Sequence, residues 1–206
     1  MLNIDGILKS KEVKKPFSHY IVDDVLDLDV SNLDNFDEGF YHSLMDEFNS
    51  YQKVILDTFK PIRLEQHNKS GYHLSSHIGL RKTKPNTTRE VHGDSQNKIW
   101  SLVVYLSPEV NTGTELFTDE WEYHSTVEWK VNRGLFFSPG PTGSLREKKK
   151  LKSNKGIKKM DYNTLHRISN NFDLPRITLL MNIYLLPLDE LERMERWELH
   201  QWEKGI

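Results

Sequence analysis

No cysteine occurs anywhere in the 206 residues. That absence excludes disulfides, zinc–thiolate centres and cysteine nucleophiles, and a cytoplasmic setting is expected. No apolar run approaches the ~18 residues needed to cross a bilayer, so no membrane partner is expected. The N-terminus also lacks the apolar stretch of a secretory signal. Glycine (11) and proline (8) are scarce, whereas hydrophobic residues reach 36% and aromatics 11%. That composition excludes a low-complexity or disordered chain and describes one folded domain, residues 1–206, with enough aromatic surface for a sheet-based core.

The net charge of −2 hides an uneven distribution. From Ser144 to Met160 the chain carries Arg146, Lys148, Lys149, Lys150, Lys152, Lys155, Lys158 and Lys159 against Glu147 alone, a net +7 that leaves the remainder at −9. The segment has no apolar period and reads as an exposed basic insertion. Clustered lysines attract phosphates, yet the acidic remainder argues against a broad DNA-binding face, and no aromatic residues interleave with the basic ones.

From Glu38 to Phe59, the residues Phe40, Leu44, Phe48, Tyr51, Ile55 and Phe59 recur at helical intervals, and Pro61 supplies a stop. Asp23 to Asp37 is expected to form turns and a short helix. The pattern elsewhere is shorter: Pro16–Val22, Ile62–Glu65, Tyr72–Leu80, Trp100–Ser107, Glu115–Phe117, Val127–Val131, Leu135–Ser138 and Ile177–Leu185 read as strands. Asn132-Arg133-Gly134 reads as a hairpin-like turn. Many short strands with frequent turns predict a barrel or double-sheet jelly roll and not βαβ repeats. Leu188 to Trp202 reads as a terminal helix that docks on the domain or serves a homodimer.

Within this frame His92 and Asp94 stand at i and i+2, so an extended segment points both to one side. His166 follows Asp94 after 71 intervening residues, and Arg176 comes ten residues later. Two imidazoles and one carboxylate make the facial triad that holds non-haem Fe(II) with coordination positions left open. Imidazoles are poor partners for magnesium. A Zn²⁺ hydrolase also tolerates this ligand set, but no glutamate-based general base accompanies it. Arg176 and Thr178 share one face of a strand, so a guanidinium and a hydroxyl can jointly receive a carboxylate such as the distal end of 2-oxoglutarate.

Taken in order, His92-Gly93-Asp94, Val104-Tyr105-Leu106-Ser107, the turn Asn111-Thr112-Gly113-Thr114, His166 and Arg176 resemble the Fe(II)/2-oxoglutarate-dependent oxygenases, especially the prolyl-hydroxylase-like branch. The resemblance spans Tyr72 to Leu185. It implies a double-stranded β-helix (jelly roll, cupin-like) with flanking helices. It also implies Fe(II) held by His92, Asp94 and His166, with 2-oxoglutarate received by Arg176 and Thr178. The family often places an upstream Tyr or Asn near the C1 end of 2-oxoglutarate, and Tyr72 and His77 are the candidates here. The implied activity is O₂-dependent hydroxylation of a C–H bond, most simply of a prolyl or other amino-acid side chain in a peptide, protein or free amino acid. Nucleic-acid oxidation and a non-catalytic metal-binding β-barrel are the alternatives. One departure is plain: His166 comes 29 residues after Phe137, where relatives need about ten, because the basic segment intervenes.

Overall fold

The long helix forms where the apolar spacing places it, over Glu38–Phe59 (α2), following a five-residue helix at Ile4–Leu8 (α1). Asp37 caps α2 by accepting a hydrogen bond from the Phe40 N–H at 2.7 Å, satisfying one of its free amides. Lys60 ends the helix in a left-handed conformation (φ 42°), donating its N–H to the Leu56 carbonyl, and Pro61 follows. Leu44, Phe48, Ile55 and Leu56 bury the apolar stripe, each contributing roughly 2 kcal/mol of transfer free energy.

The computed structural model describes residues 1–30, 32, 36–61, 72–94, 98–139 and 164–187. Ten strands follow in chain order: β1 (Glu12–Val13), β2 (His19–Val22), β3 (Tyr72–Thr83), β4 (Thr87–Thr88), β5 (Lys98–Ser107), β6 (Thr114–Phe117), β7 (Tyr123–Val127), β8 (Gly134–Phe137), β9 (His166–Asn170) and β10 (Arg176–Pro187). They build a six-stranded sheet, β1-β2-β8-β5-β10-β3, and a four-stranded sheet, β4-β9-β6-β7. Every pairing is antiparallel. From β5 onward the chain visits the large sheet, the small sheet twice, the large, the small and the large again. The fold is therefore two antiparallel sheets with flanking helices.

The central strands of the large sheet bury both faces. Leu102, Val104, Leu179, Met181 and Ile183 pack on one side with Leu44, Phe48 and Ile55 of α2. On the other, Tyr105, Leu135 and Phe137 meet Leu116 and Val127 of the small sheet, together with Phe17. Alternation along β10, and along β5 from Trp100 to Leu106, produces this division, because successive side chains point to opposite faces.

Several sequence expectations need correction. The strand expected over Val127–Val131 occupies Tyr123–Val127 instead, and residues 128–131 leave the ladder. Asn132-Arg133-Gly134 is not a hairpin turn, since β7 pairs with β6 while β8 pairs with β5 and β2. The chain is crossing between sheets there. Trp129 stacks on Tyr105 at 4.6 Å and donates to the Pro108 carbonyl at 2.8 Å, contacts that hold the crossing segment. A helix forms at Ile4–Leu8, capped by Asn3, where the polar start offered no apolar period; none forms among the described residues of 23–37 ahead of Asp37. The strand expected at 62–65, the basic segment 144–160 and the helix expected at 188–202 lie outside the described residues.

Asn132 ties this crossing together. Its backbone sits at φ 63°, which asparagine tolerates and most residues do not. Its side-chain oxygen accepts from the Leu26 N–H at 2.9 Å, and its amide donates to the Leu26 carbonyl at 2.7 Å. Beside it, Arg133 and Lys130 both engage Asp23, whose carboxyl is drawn down to about 2, chiefly by its hydrogen bond to Arg133. Two part-buried hydrogen bonds contribute about 1 kcal/mol each, and a left-handed backbone costs a Cβ-bearing residue about 1–2 kcal/mol more than glycine. Asn132→Ala is expected to destabilise by about 3 kcal/mol and Asn132→Gly by about 1 kcal/mol less, read from urea midpoints. Equal losses would mean the backbone conformation contributes nothing.

Candidate active site

Backbone pairing, rather than proximity in sequence, brings the two histidines together. His92 forms an isolated antiparallel bridge with His166, the first residue of β9, with N–H···O distances of 3.0 and 2.9 Å. Their rings lie 4.6 Å apart between centroids. Each Nδ1 faces a carbonyl two residues earlier: His92 that of Glu90 at 2.9 Å, His166 that of Thr164 at 3.0 Å. A carbonyl can only accept, so both Nδ1 atoms carry the proton and both Nε2 atoms keep a lone pair. This is the second hydrogen bond that metal-binding imidazoles use to set tautomer and orientation.

Asp94 is close enough to sense both imidazoles. Burial works to raise its pKa, but the electrostatics of its surroundings, led by the Lys98 ammonium, outweigh it and hold the carboxyl below its ordinary range. Oδ1 of Asp94 lies 3.1 Å from the Lys98 Nζ. Among the described residues, no three His, Asp or Glu side chains converge in a coordinating arrangement. The structure thus pairs His92 with His166, sets Asp94 within electrostatic reach of them and pairs it with Lys98, and does not gather the three as a ligand set. In donor chemistry the set fits a borderline-soft divalent ion.

The second half of the site lies on the inner face of β10. Arg176 is fully buried. Its Nη1 donates to the carbonyls of Gly113 and Ser169, both at 3.3 Å, and Nη2 donates to Thr114 Oγ1 at 3.1 Å. The guanidinium carbon sits 5.3 Å from the Tyr105 ring centroid and 5.1 Å from that of Trp129. Nε has no partner. Among the described residues no carboxylate pairs with Arg176, and burial lowers its pKa. Removing an ion from water costs several kcal/mol even after relaxation. Neutral acceptors and ring faces offset part of that cost, and none cancels the charge.

Thr178, two residues along, is buried on the same face. Further along that face, Asn182 accepts a hydrogen bond from the Ser101 hydroxyl at 2.9 Å, and His77 stands opposite Asn182 in the β3 register. Tyr72 begins β3, opposite Pro187; its side chain lies outside the described residues. The separation of the two halves can be read from register. His166 pairs with Leu116, and Thr114, which Arg176 touches, lies two residues earlier on β6. Two strand residues span roughly 7 Å along the backbone.

Sequence reading did not single out Lys98, Thr114, Tyr105 or Trp129 as site residues. Lys98 stands four residues after Asp94, but that spacing carries no meaning outside a helix. Gly113 has a physical reason: a Cβ there would come within 1.8 Å of the Val127 carbonyl oxygen, so no other residue lets β6 start this close to β7.

No protein-family model matches the chain, and no curated protein matches it. Its fold is similar to that of a viral collagen prolyl hydroxylase from Paramecium bursaria Chlorella virus-1 solved as a 2OG complex, at 16% identity and TM-score 0.47, over 80% of this chain and 94% of that one. It is similar to a Pseudomonas putida prolyl-4-hydroxylase at 12% identity and TM-score 0.42, over 81% and 71% of the two chains. An oxidoreductase of the 2OG-Fe(II) oxygenase family from Burkholderia pseudomallei shows 8% identity and TM-score 0.42, over 85% and 72%. At these values the likeness is one of fold outline, and no residue role is transferred from it.

Burial pushes the His166 imidazole down to about 4 from its ordinary 6.5. The unfolded chain therefore takes up that proton first. The contribution to stability is complete above about pH 6.5 and is lost as pH falls towards 4, by up to about 3 kcal/mol. Denaturant midpoints should decline over that window, and the decline should be shallower in His166→Gln. An identical slope in the variant would show that His166 is not the group titrating.

Proposed function

We propose that the protein is a non-haem Fe(II)- and 2-oxoglutarate-dependent dioxygenase on a double-stranded β-helix that hydroxylates a C–H bond. The substrate proposed is a prolyl or other amino-acid side chain, in a peptide, a protein or a free amino acid. The observation that carries the reading is Arg176, a buried guanidinium without a counter-anion among the described residues. It lies about two strand residues from an oriented pair of imidazoles and a carboxylate. A dicarboxylate that chelates a metal at one end and meets an arginine at the other answers both features at once.

His92, Asp94 and His166 would hold the Fe(II). When bound, the ion with 2-oxoglutarate and O₂ supplies the oxidising power for hydroxylation, releasing succinate and CO₂. The chain's own residues bind, orient and enclose. Arg176 would receive the distal carboxylate through Nε and a terminal nitrogen, an arrangement that is stronger and more directional than a single contact. Thr178 offers a hydroxyl on the same face. Leu116, Leu135 and Phe137 line the space between the sheets and exclude water. His92 and His166 would serve as ligands, presenting Nε2 while Nδ1 faces a backbone carbonyl.

One observation favours a second reading. Asp94 is paired with Lys98 and the three ligand candidates do not converge, as suits a non-catalytic barrel that binds a carboxylate at Arg176 alone. Anaerobic addition of Fe(II) and 2-oxoglutarate separates the two. The dioxygenase should develop a weak visible charge-transfer band and, under O₂, release succinate. Asp94→Ala should abolish both. Arg176→Met should lose the rise in Tm that 2-oxoglutarate gives the native protein. Binding of 2-oxoglutarate without any band or succinate would establish the second reading. A screen of peptides, amino acids and oligonucleotides for a mass gain of about 16 Da, one inserted oxygen, assigns the substrate; product from oligonucleotides alone would overturn the amino-acid assignment.

A further inference from the structure

Among the described residues the large sheet ends at β3 and the small sheet at β4. Both ends lie on one side of the cleft, because Asn170 of β9 donates to the carbonyls of Thr83 and Lys84, where the chain leaves β3 for β4. Each edge carries an arginine. Arg81 stands opposite Thr178 in the β3–β10 ladder, and Thr178 stands opposite Tyr105 of β5. Directly opposed residues of an antiparallel pair share a face, and Tyr105 belongs to the core between the sheets. Arg81 is therefore on the cleft face. On the small sheet the Arg89 N–H donates to the Ile168 carbonyl at 3.0 Å, one step beyond the Thr88–Ser169 pair, and Ile168 stands opposite Thr114. Thr114 turns its hydroxyl to Arg176 and Tyr105, so this row faces the cleft too.

Two facing rows, Arg81–Thr178–Tyr105 and Arg89–Ile168–Thr114, thus end in guanidiniums at the open side of the sandwich. Both arginines are exposed, and neither forms a salt bridge among the described residues. Other arginines of this protein are neutralised: Arg133 by Asp23 and Arg167 by Glu115. The pair is close enough to repel. Arg89 is held below its ordinary range first by desolvation and then by the Arg81 charge, and Arg89 adds to burial in holding down Arg176. Like charges gathered without a counter-ion destabilise the fold that gathers them, and a bound anion offsets that cost.

We propose that Arg81 and Arg89 form an anion site at the open side of the cleft and that its ligand is a phosphate monoester. Two guanidiniums carry two charges, which a doubly ionised phosphate matches and a carboxylate does not. Each planar fork meets phosphate oxygens through paired N–H donors, and a phosphate has oxygens enough for both arginines. The site stands outside the contacts of Arg176 and requires no metal. It goes beyond the function proposed above and does not rest on it.

The test titrates phenyl phosphate into the full-length protein and follows broadening of its phosphorus NMR line. The native protein should broaden the line saturably. Arg81→Met and Arg89→Met should each weaken binding about tenfold, the effect of losing one charge-assisted contact. Lys82 stands opposite Ile177 and so lies on the other face of β3; Lys82→Met should change the affinity by less than about twofold. Arg81→Lys keeps the charge but loses the fork, and should also bind more weakly than the native protein. Thermal melts of the ligand-free variants confirm folding, with Arg81→Gln or Arg89→Gln replacing a methionine variant that does not fold. Absence of saturable binding by the native protein overturns the site. An equal loss in Lys82→Met reduces it to diffuse surface attraction, and native affinity in Arg81→Lys reduces it to long-range attraction towards Arg176; either result overturns the inference. Acetate bound as tightly as phenyl phosphate overturns the choice of a dianion, and inorganic phosphate bound without phenyl phosphate overturns the choice of an ester.

Discussion

An enclosed positive charge governs the interior of this protein. Arg176 projects from the large sheet into the space between the sheets and reaches the carbonyls of Gly113 and Ser169 and the hydroxyl of Thr114. Those partners belong to or flank the small sheet, so one guanidinium joins the two layers. Its surroundings are built around it: the absence of a Cβ at Gly113 brings β6 against the Val127 carbonyl, and the Tyr105–Trp129 stack presents two ring faces to the cation. Such an arrangement disperses charge without neutralising it. Among the described residues nothing anionic completes it.

The opposite end of the cleft has the complementary character. There the burial of polar groups is resolved locally: each imidazole Nδ1 has a carbonyl, and Asp94 has an ammonium. What remains unengaged is soft and basic, two Nε2 lone pairs. The guanidinium and the imidazole pair are linked through β6, Arg176 touching Thr114 and His166 pairing with Leu116.

Rigidity of the platform follows from its position between two cores. β10 pairs with β3 along its length and with β5 over most of it. Its alternate residues feed the helix-side core through Ile177, Leu179, Met181 and Ile183, while Arg176 and Thr178 face the cleft. A strand hydrogen-bonded on both edges and packed on both faces has little freedom to shift. The distance between the guanidinium and the histidine pair is therefore set by ladder register, which changes only in whole-residue steps.

What the sequence determined by itself was everything that depends on local period and local chemistry. Helix α2 was legible because Phe40 to Phe59 repeat at helical spacing ahead of the stop Pro61, while its cap at Asp37 emerged only in the structure. The core strands β5 and β10 were legible from their β-branched and aromatic runs. The short helix α1 was not, since five residues in a polar stretch show no period. The crossing at Asn132 was misread as a hairpin, because turn chemistry reports a change of direction and not which strands it joins. Tertiary structure alone decided that His92 pairs backbone to backbone with His166, that Arg176 meets no carboxylate among the described residues, and that Lys98 takes an oxygen of Asp94. These are relations between strands distant in the chain. They arise from how sheets stack and register, and no local pattern of residues encodes which side chains the packing will bring together.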